Sequence, residues 1–565
     1  MKNILFLPFL LFHFLLFAQE DYPTNYFRSP LDIPLSVSGT FGELRSNHFH
    51  AGIDLKTNRR TGLPVYATAE GYVSRIKVSV WGYGKVIYIK HPNGYSTVYA
   101  HLSKFGKGIE DYVKHIQYSK KNYETGNIYP KEGEILVEKG QVIGYSGRTG
   151  GFVAPHLHYE IRDKQNKSII NPLLFGLKVK DSIAPTIKKL MAYPIESNSR
   201  INRTNKNQIL PLRKEANNEY ITNRISAFGK ISFGVNVFDR LGKELNKNGV
   251  YSIEMYVNGK RYYYHKLETF SFAESKYINL LIDYNHYAKH KSKIQKTFKE
   301  ESNKLSIYEG LVNDGVIEIK EGMNYLVKVV IKDFKGNTSS IKIPIVGLKS
   351  NSIVQSQIDT TNYKINKSQF HKFTQNGISI AFPKNTFYKD VYLDFTTNGR
   401  LANIHKPTLP LDKSFTITFD STLYSKSDVD HIYIANINKE KYPSYQKTRK
   451  KEDKIFTTTK TLGKYTLLID NQIPKIYNCN FKNNDWISNY RYLTIKISDS
   501  QSGIKSYDGF IDDQWILMEY DVKLKKLTYD FNDKKLVGSK HIFKLVVSDN
   551  VGNTNIYEST FYRKQ

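Results

Sequence analysis

A single cysteine, Cys479, among 565 residues excludes an internal disulfide framework and any cysteine-ligated zinc or iron–sulfur site. A metal held by this chain must therefore sit on histidine and carboxylate. Acid is scarce: 53 Asp and Glu face 83 Lys and Arg, a formal charge of +30. No stretch supplies the roughly 20 apolar residues of a membrane-spanning helix. The one prominent run, Ile4 to Phe17, has Lys2 before it and Ala18 after it. That layout is a secretory signal peptide over residues 1–18, although Leu16 stands where a small residue is usual. The chain is expected to be exported, with no transmembrane span once the signal is cleaved.

The positive charge is spread along the chain, +7 over residues 19–178 and +22 over 179–565, with Lys2 supplying the rest. A diffuse field attracts polyanions without marking a nucleic-acid docking face, and cell-wall polymer suits an exported chain better. The densest basic run, Lys447 to Lys451, is followed by Glu452 and Asp453 and reads as a solvated loop. Aromatic residues make up 13%, 42 of them Tyr, which is enough to fill several cores and excludes global disorder. At about 100 to 200 residues per domain, three to five domains are expected.

Beyond residue 180, short alternating strands are separated by Asn, Asp and Gly turns, and one motif repeats. Asp181-Ser-Ile-Ala-Pro185 echoes Asp470-Asn-Gln-Ile-Pro474, and the Asp333…Gly336-Asn337-Thr338 string echoes Asp549…Gly552-Asn553-Thr554. A strand, a Gly-Asn turn that tolerates positive φ, and a second strand make a hairpin. The bracketed modules resemble immunoglobulin-like β-sandwiches, over 179–347 and 471–565, with a β-rich domain over 348–470 between them. The first module carries a Lys-rich insertion from about Phe272 to Ser306, where Tyr277, Leu280, Leu281 and Tyr284 keep helical spacing.

Residues 19–178 differ in kind, because three segments place His or Asp on alternate positions. His50 and Asp54 share one parity against Ala51, Ile53 and Leu55. Tyr95, Thr97, Tyr99 and His101 share one against Val98, Ala100 and Leu102, as do His156, His158 and Glu160 against Leu157, Tyr159 and Ile161. On strands, each segment would bury its apolar face and display the imidazoles in one groove. Two imidazoles and one carboxylate suit a single catalytic zinc, whose fourth position is left for water or substrate and whose bound water has a pKa near about 7. Two further His then remain for proton transfer and oxyanion stabilisation.

The strings His50-x-x-x-Asp54, Tyr99-Ala-His101-Leu102 and His156-Leu-His158 resemble the signature elements of the lysostaphin-type zinc endopeptidases, which cleave peptide cross-bridges in peptidoglycan. Gly71-Tyr-Val73, His91-Pro-Asn-Gly94 and Val137 to Gly144 support the likeness, which covers about residues 40 to 172. The resemblance implies one zinc ion on His50, Asp54 and His158, with His101 and His156 as the catalytic pair; which of the two is the base stays open. Glu160 is either a carboxylate orienting a ligand or a surface salt-bridge partner. His48 is expected as a groove neighbour.

Two segments depart from the family's pattern. A helix-like stretch holding Ile109, Tyr112, Val113 and Ile116 is expected to form a groove rim, and the Ser146-to-Pro155 segment is long and bulky. The expected fold is all-β and mainly antiparallel, a lysostaphin-type peptidase domain followed by two or three β-sandwich domains. The expected substrate is peptidoglycan stem peptide in the periplasm or envelope of a Gram-negative bacterium. The C-terminal modules would target or space the enzyme, or meet an envelope partner. The alternative is a non-catalytic peptidoglycan-binding or regulatory protein using the same groove.

Overall fold

A computed structural model describes residues 22–564, except 153, 243–245, 350–359 and 423. The expected signal peptide lies outside the described residues. The N-terminal domain is built on an antiparallel sheet of β1 (Val37–Gly39), β2 (Ile53–Lys56), β3 (Gly71–Val78), β4 (Lys85–Lys90), β5 (Ser96–Leu102) and β6 (His156–Arg162), in the order β1-β2-β6-β5-β4-β3. Strand β6 lies between β2 and β5, so segments about 50 to 100 positions apart in sequence become neighbours. Asp54 stands opposite His158, and His158 opposite Ala100.

Alternation divides the sheet into two faces. Ile53, Leu55, Leu157, Tyr159 and Ile161 point into the main core, where they meet Val73, Ile87 and Ile89. Burying each such aliphatic side chain stabilises the domain by about 1.5–3 kcal/mol. Paired residues share a face, so the register that places Asp54 beside His158 puts both on the opposite side.

Strand β5 reverses the expected assignment. Tyr99 pairs with Tyr159 and Thr97 with Ile161, so both face the core. There the Tyr99 hydroxyl bonds Thr68 and Thr97. Val98 and Ala100 lie on the other face, in a small cluster with Val86 and Tyr88. The sequence pattern misled because Val and Ala read as core residues, whereas here the second face is itself buried.

The stretch holding Ile109 and Val113 does form a helix, α1 (Lys107–Lys120), and both residues are buried. It is not a groove rim. It packs toward residues 515–533, with Lys114 paired to Asp533 and Tyr118 set edge-on to Trp515 at 5.6 Å.

The 272–306 insertion is tied to the N-terminal domain. It forms α2 (Ile278–Leu281) and α3 (Tyr284–His290), and Ile278, Leu281, Leu305 and Ile307 join the N-terminal core. Just before it, Thr269–Ser271 pairs with Ser168–Ile170, itself paired to β6, so one sheet runs on past residue 178.

Three further cores follow, over residues 187–345, 365–467 and 481–561. Among the described residues their sheets are antiparallel except for short parallel pairings of 219–221 with 340–342, 225–227 with 345–347 and 485–486 with 561–562. The fold is therefore all-β and mainly antiparallel, as expected. The repeated motif has a physical cause. Asp549 accepts the backbone N–H groups of Val551, Gly552 and Asn553, and Asp470 those of Gln472 and Ser502, so these carboxylates pin turns. Asp333 receives both the backbone and the side-chain amide of Asn337.

Candidate metal centre

Strands β2 and β6 and the loop before β2 deliver three donor atoms to one point. His50 Nε2 lies 3.0 Å from Asp54 Oδ1 and 3.0 Å from His158 Nδ1, and the latter two are 2.9 Å apart. A tetrahedral zinc with bonds near 2.05 Å would set its ligand atoms about 3.3 Å apart. All three residues are buried. His50 comes from the turn ahead of the strand, and that turn is fixed by His50 N donating to Glu43 O and Gly42 N donating to His50 O.

The opposite atom of each candidate ligand is also held. His50 Nδ1 donates to Thr40 O at 2.8 Å, which frees the Nε2 lone pair. His158 Nε2 donates to Glu160 Oε1 at 2.9 Å, which frees Nδ1. Arg45 donates to Asp54 Oδ2 at 3.0 Å. Gly39 makes room for that pair, since a Cβ there would sit 2.6 Å from Asp54 Oδ2 and 2.7 Å from the Arg45 guanidinium. Two nitrogen lone pairs and a carboxylate oxygen thus converge at contact distance, an arrangement that requires a cation, either a metal or a proton. The imidazoles' outer hydrogen bonds fix the tautomers that leave the inner nitrogens as donors.

The electrostatics report the same demand. Burial would raise the Asp54 carboxyl, but His50 and the hydrogen bonds from His158 and His50 hold it well below the usual carboxylate range. Burial would lower His158, yet its bonds to Asp54 and Glu160 raise it to about 9. Glu160 is fully buried, so it is not a surface salt-bridge partner. Burial opposes its ionisation, but Arg162, bonded at 2.8 Å, and His158 bring it down to about 2. The Tyr83 hydroxyl also donates to Glu160.

His101 reaches the site through a β-bulge. Tyr99 stands opposite Ile87 and Leu102 opposite Lys85, so Ala100 and His101 together face Val86 alone. His101 has φ +62°, and the extra residue leaves it on the groove side although it shares the parity of Tyr99. Its Nδ1 donates to Thr149 O at 3.0 Å, and its ring lies 4.7 Å from His156 and 4.2 Å from Phe152. His156 Nδ1 donates to Ala154 O at 2.9 Å. His156 Nε2 is buried without a partner, 3.8 Å from Asp54 Oδ1. Burial pushes both imidazoles down, His101 well below its ordinary value because protonating it beside His156 and His158 would bring like charges together, so both are neutral bases near pH 7.

The cluster opens into a groove of about 540 Å³ lined by the candidate ligands, Tyr83, His101 and Phe152. His48 lines its mouth, exposed and bonded to Ser46 O, outside the three-donor cluster. Phe272, Ser275 and Lys276 belong to the groove's lining, which holds no residue of α1. Sequence reasoning missed them, because helical spacing at 277–284 reveals a helix but not the surface on which it docks. It also missed Arg45 and Tyr83, which carry no periodic signal.

Residues 48–118 match the model of Peptidase family M23, and residues 362–470 match that of a Zu5-like domain. The first match takes in His50, Asp54 and His101 and stops before His156. Over 146 residues the chain is 35% identical to the DD-carboxypeptidase/endopeptidase Mpg of Neisseria meningitidis serogroup B, covering 25% of this chain and 27% of that protein. Over 140 residues it is 31% identical to the peptidoglycan DD-endopeptidase ShyA of Vibrio cholerae serotype O1, covering 24% and 26%. Over 159 residues it is 28% identical to lysostaphin of Staphylococcus staphylolyticus, covering 28% and 26%. The chain spans about a quarter of the length of these curated relatives.

Proposed function

We infer that this chain, whose N-terminal part carries a lysostaphin-type Peptidase family M23 domain, is an exported zinc endopeptidase that hydrolyses peptide cross-links of peptidoglycan. The observation that carries this is the convergence of His50 Nε2, Asp54 Oδ1 and His158 Nδ1, each with its outer atom already bonded. The names of the relatives, DD-endopeptidases among them, support a D,D-peptide bond as the target. Periplasm or cell envelope is the compartment that suits this substrate and the apolar run at residues 4–17. The β modules after residue 178 would target or space the enzyme, or meet an envelope partner.

His50, Asp54 and His158 would hold one zinc ion. When bound, zinc supplies Lewis acidity that activates water and polarises the scissile carbonyl. Neutral His156, with an unpartnered Nε2 beside Asp54, is placed to take a proton from the attacking water and return it to the leaving amine. His101, tethered through Nδ1 to Thr149 O, would steady the oxyanion through Nε2 once that nitrogen carries a proton, and exchanging these two roles fits the same tethers. The Phe152 ring against both imidazoles limits bulk water there.

The test is zinc content and muropeptide digestion of the full chain, analysed by mass spectrometry. One zinc per chain and a cleaved D,D-link are expected. His158→Ala should lose metal and activity together, whereas His101→Ala should keep the metal and lose turnover. A wild-type chain that binds peptidoglycan but holds no zinc and cleaves nothing would establish the non-catalytic alternative.

A further inference from the structure

The segment that tethers His101 is gripped from both sides. On one side lies the N-terminal domain itself. Thr149 Oγ1 accepts Lys85 N at 3.0 Å and donates to Leu102 O at 2.8 Å, while Thr149 O holds His101 Nδ1. Gly150, at φ +88°, lies so close to the turn before β4 that a Cβ would stand 2.0 Å from Gly82 O. On the other side lies the module of residues 471–565. Asp521 Oδ2 accepts from Arg148 Nη2 at 2.8 Å, and Val522 lies 3.7 Å from the place a Cβ on Gly151 would take. Two more ion pairs flank this one. Glu519 binds the buried Lys85 Nζ at 2.7 Å, and that ammonium also donates to Ser103 O at 3.1 Å, one residue past β5. Asp533 binds Lys114 on α1.

The partition of charge is complete across these contacts. Every cation, Lys85, Lys114 and Arg148, belongs to the N-terminal domain, and every anion, Glu519, Asp521 and Asp533, belongs to the distant module. Complementary potentials of this kind fix the register of two surfaces. Between them Trp515 and Leu517 enter the N-terminal core. The distant module is therefore seated on Arg148 and Gly151, either side of the residue that tethers His101, and reaches Ser103 through the Lys85 ammonium.

We propose that Arg148, held by Asp521 of the 471–565 module, is a positioning residue that sets the His101 imidazole for catalysis. The module thereby completes the active site from outside it. This rests on the peptidase activity proposed above, and its geometry makes a separable claim about the 148–152 segment. When Asp521 releases Arg148, the segment keeps the Thr149 bonds to Lys85 N and Leu102 O but loses its grip on the other side, so the acceptor of His101 is held less tightly. A shift of about 1 Å in a catalytic group lowers turnover as much as 100-fold. None of the described hydrogen bonds of His50, Asp54 and His158 goes to Arg148, so zinc should be unaffected.

The experiment compares the full-length wild type with Arg148→Asp, Asp521→Arg and the exchanged pair Arg148→Asp/Asp521→Arg; Asp521→Asn serves as a milder break that conserves shape. Two readouts are taken, hydrogen exchange of residues 148–152 and the kcat and KM for a cross-linked muropeptide. Each single change should raise exchange at 148–152 at least about tenfold and lower kcat about 10- to 100-fold, with KM and zinc content unchanged. The exchanged pair should recover both to within about threefold of wild type. Single variants that leave exchange and kcat unchanged, or an exchanged pair that recovers neither, overturn the proposal. A wild type without peptidase activity would refute the enzymatic function, while the exchange data would still decide whether the module orders the segment.

Discussion

At the residue scale, the tightest constraint on the centre is Glu160, whose carboxylate is fully buried yet accepts from His158, Arg162 and Tyr83. Its position fixes which nitrogen of His158 faces Asp54. Glu160→Gln keeps the shape but removes the charge that strengthens His158 as a donor, so zinc affinity should fall about 10- to 100-fold, measurable by competition with a chromophoric chelator. A second buried group bears on stability rather than on the site. His265 has no solvent exposure, its Nδ1 bonds the Tyr263 hydroxyl at 2.8 Å, and burial lowers its pKa to about 3. It stays neutral in the fold, whereas in the unfolded chain it takes up a proton below about pH 6.5. Between about pH 6.5 and 3 the unfolded state therefore binds more protons, and stability falls as the pH falls. That loss amounts to about 1.4 kcal/mol per pH unit. His265→Gln should remove that contribution to the slope, read from urea unfolding at several pH values.

At the scale of elements, the bulge in β5 decides whether the site is complete. Deleting Ala100 would restore regular pairing with Val86 and move the His101 imidazole along the strand by about one residue rise, roughly 3.3 Å. Zinc should remain bound, and muropeptide cleavage should drop at least about 100-fold. The bulge also marks where the sequence stops being legible. Alternation placed His156, His158 and Glu160 on one face of β6 and Leu157, Tyr159 and Ile161 on the other, and the structure has them so. The same rule applied to β5 assigned Thr97 and Tyr99 to the groove, where they are not. It set His101 on the groove side only because an unseen extra residue cancels the error. Local hairpins were legible for a different reason: Gly336 and Gly552 take φ of +86° and +107°, which turn chemistry alone dictates. The docking of α1 and of α2 was not legible, since helical spacing identifies an apolar stripe but not what covers it.

Taken whole, the molecule joins its first described domain to the module of residues 471–565 through an interface with an aromatic centre and an ionic border. Tyr118 meets Trp515 edge-on, and its hydroxyl reaches Asp533 at 3.4 Å. Tyr118→Ala should weaken the interface by about 1–2 kcal/mol, seen as an earlier urea transition in tryptophan fluorescence. Raising ionic strength from 0.1 to 1 M shortens the screening length from about 10 to 3 Å, so the Arg148–Asp521 pair, both of whose side chains are partly exposed, should loosen before the Lys85–Glu519 pair, whose ammonium is buried. The joined ends also impose an order in time. Asp521 is made 373 positions after Arg148, a delay of roughly 20 to 75 s at about 5 to 20 residues per second. During that interval the nascent N-terminal domain lacks Trp515 and Leu517 of its core and the Asp521 partner of Arg148. Under the function proposed above, the chain would work below its full rate until its synthesis is nearly complete.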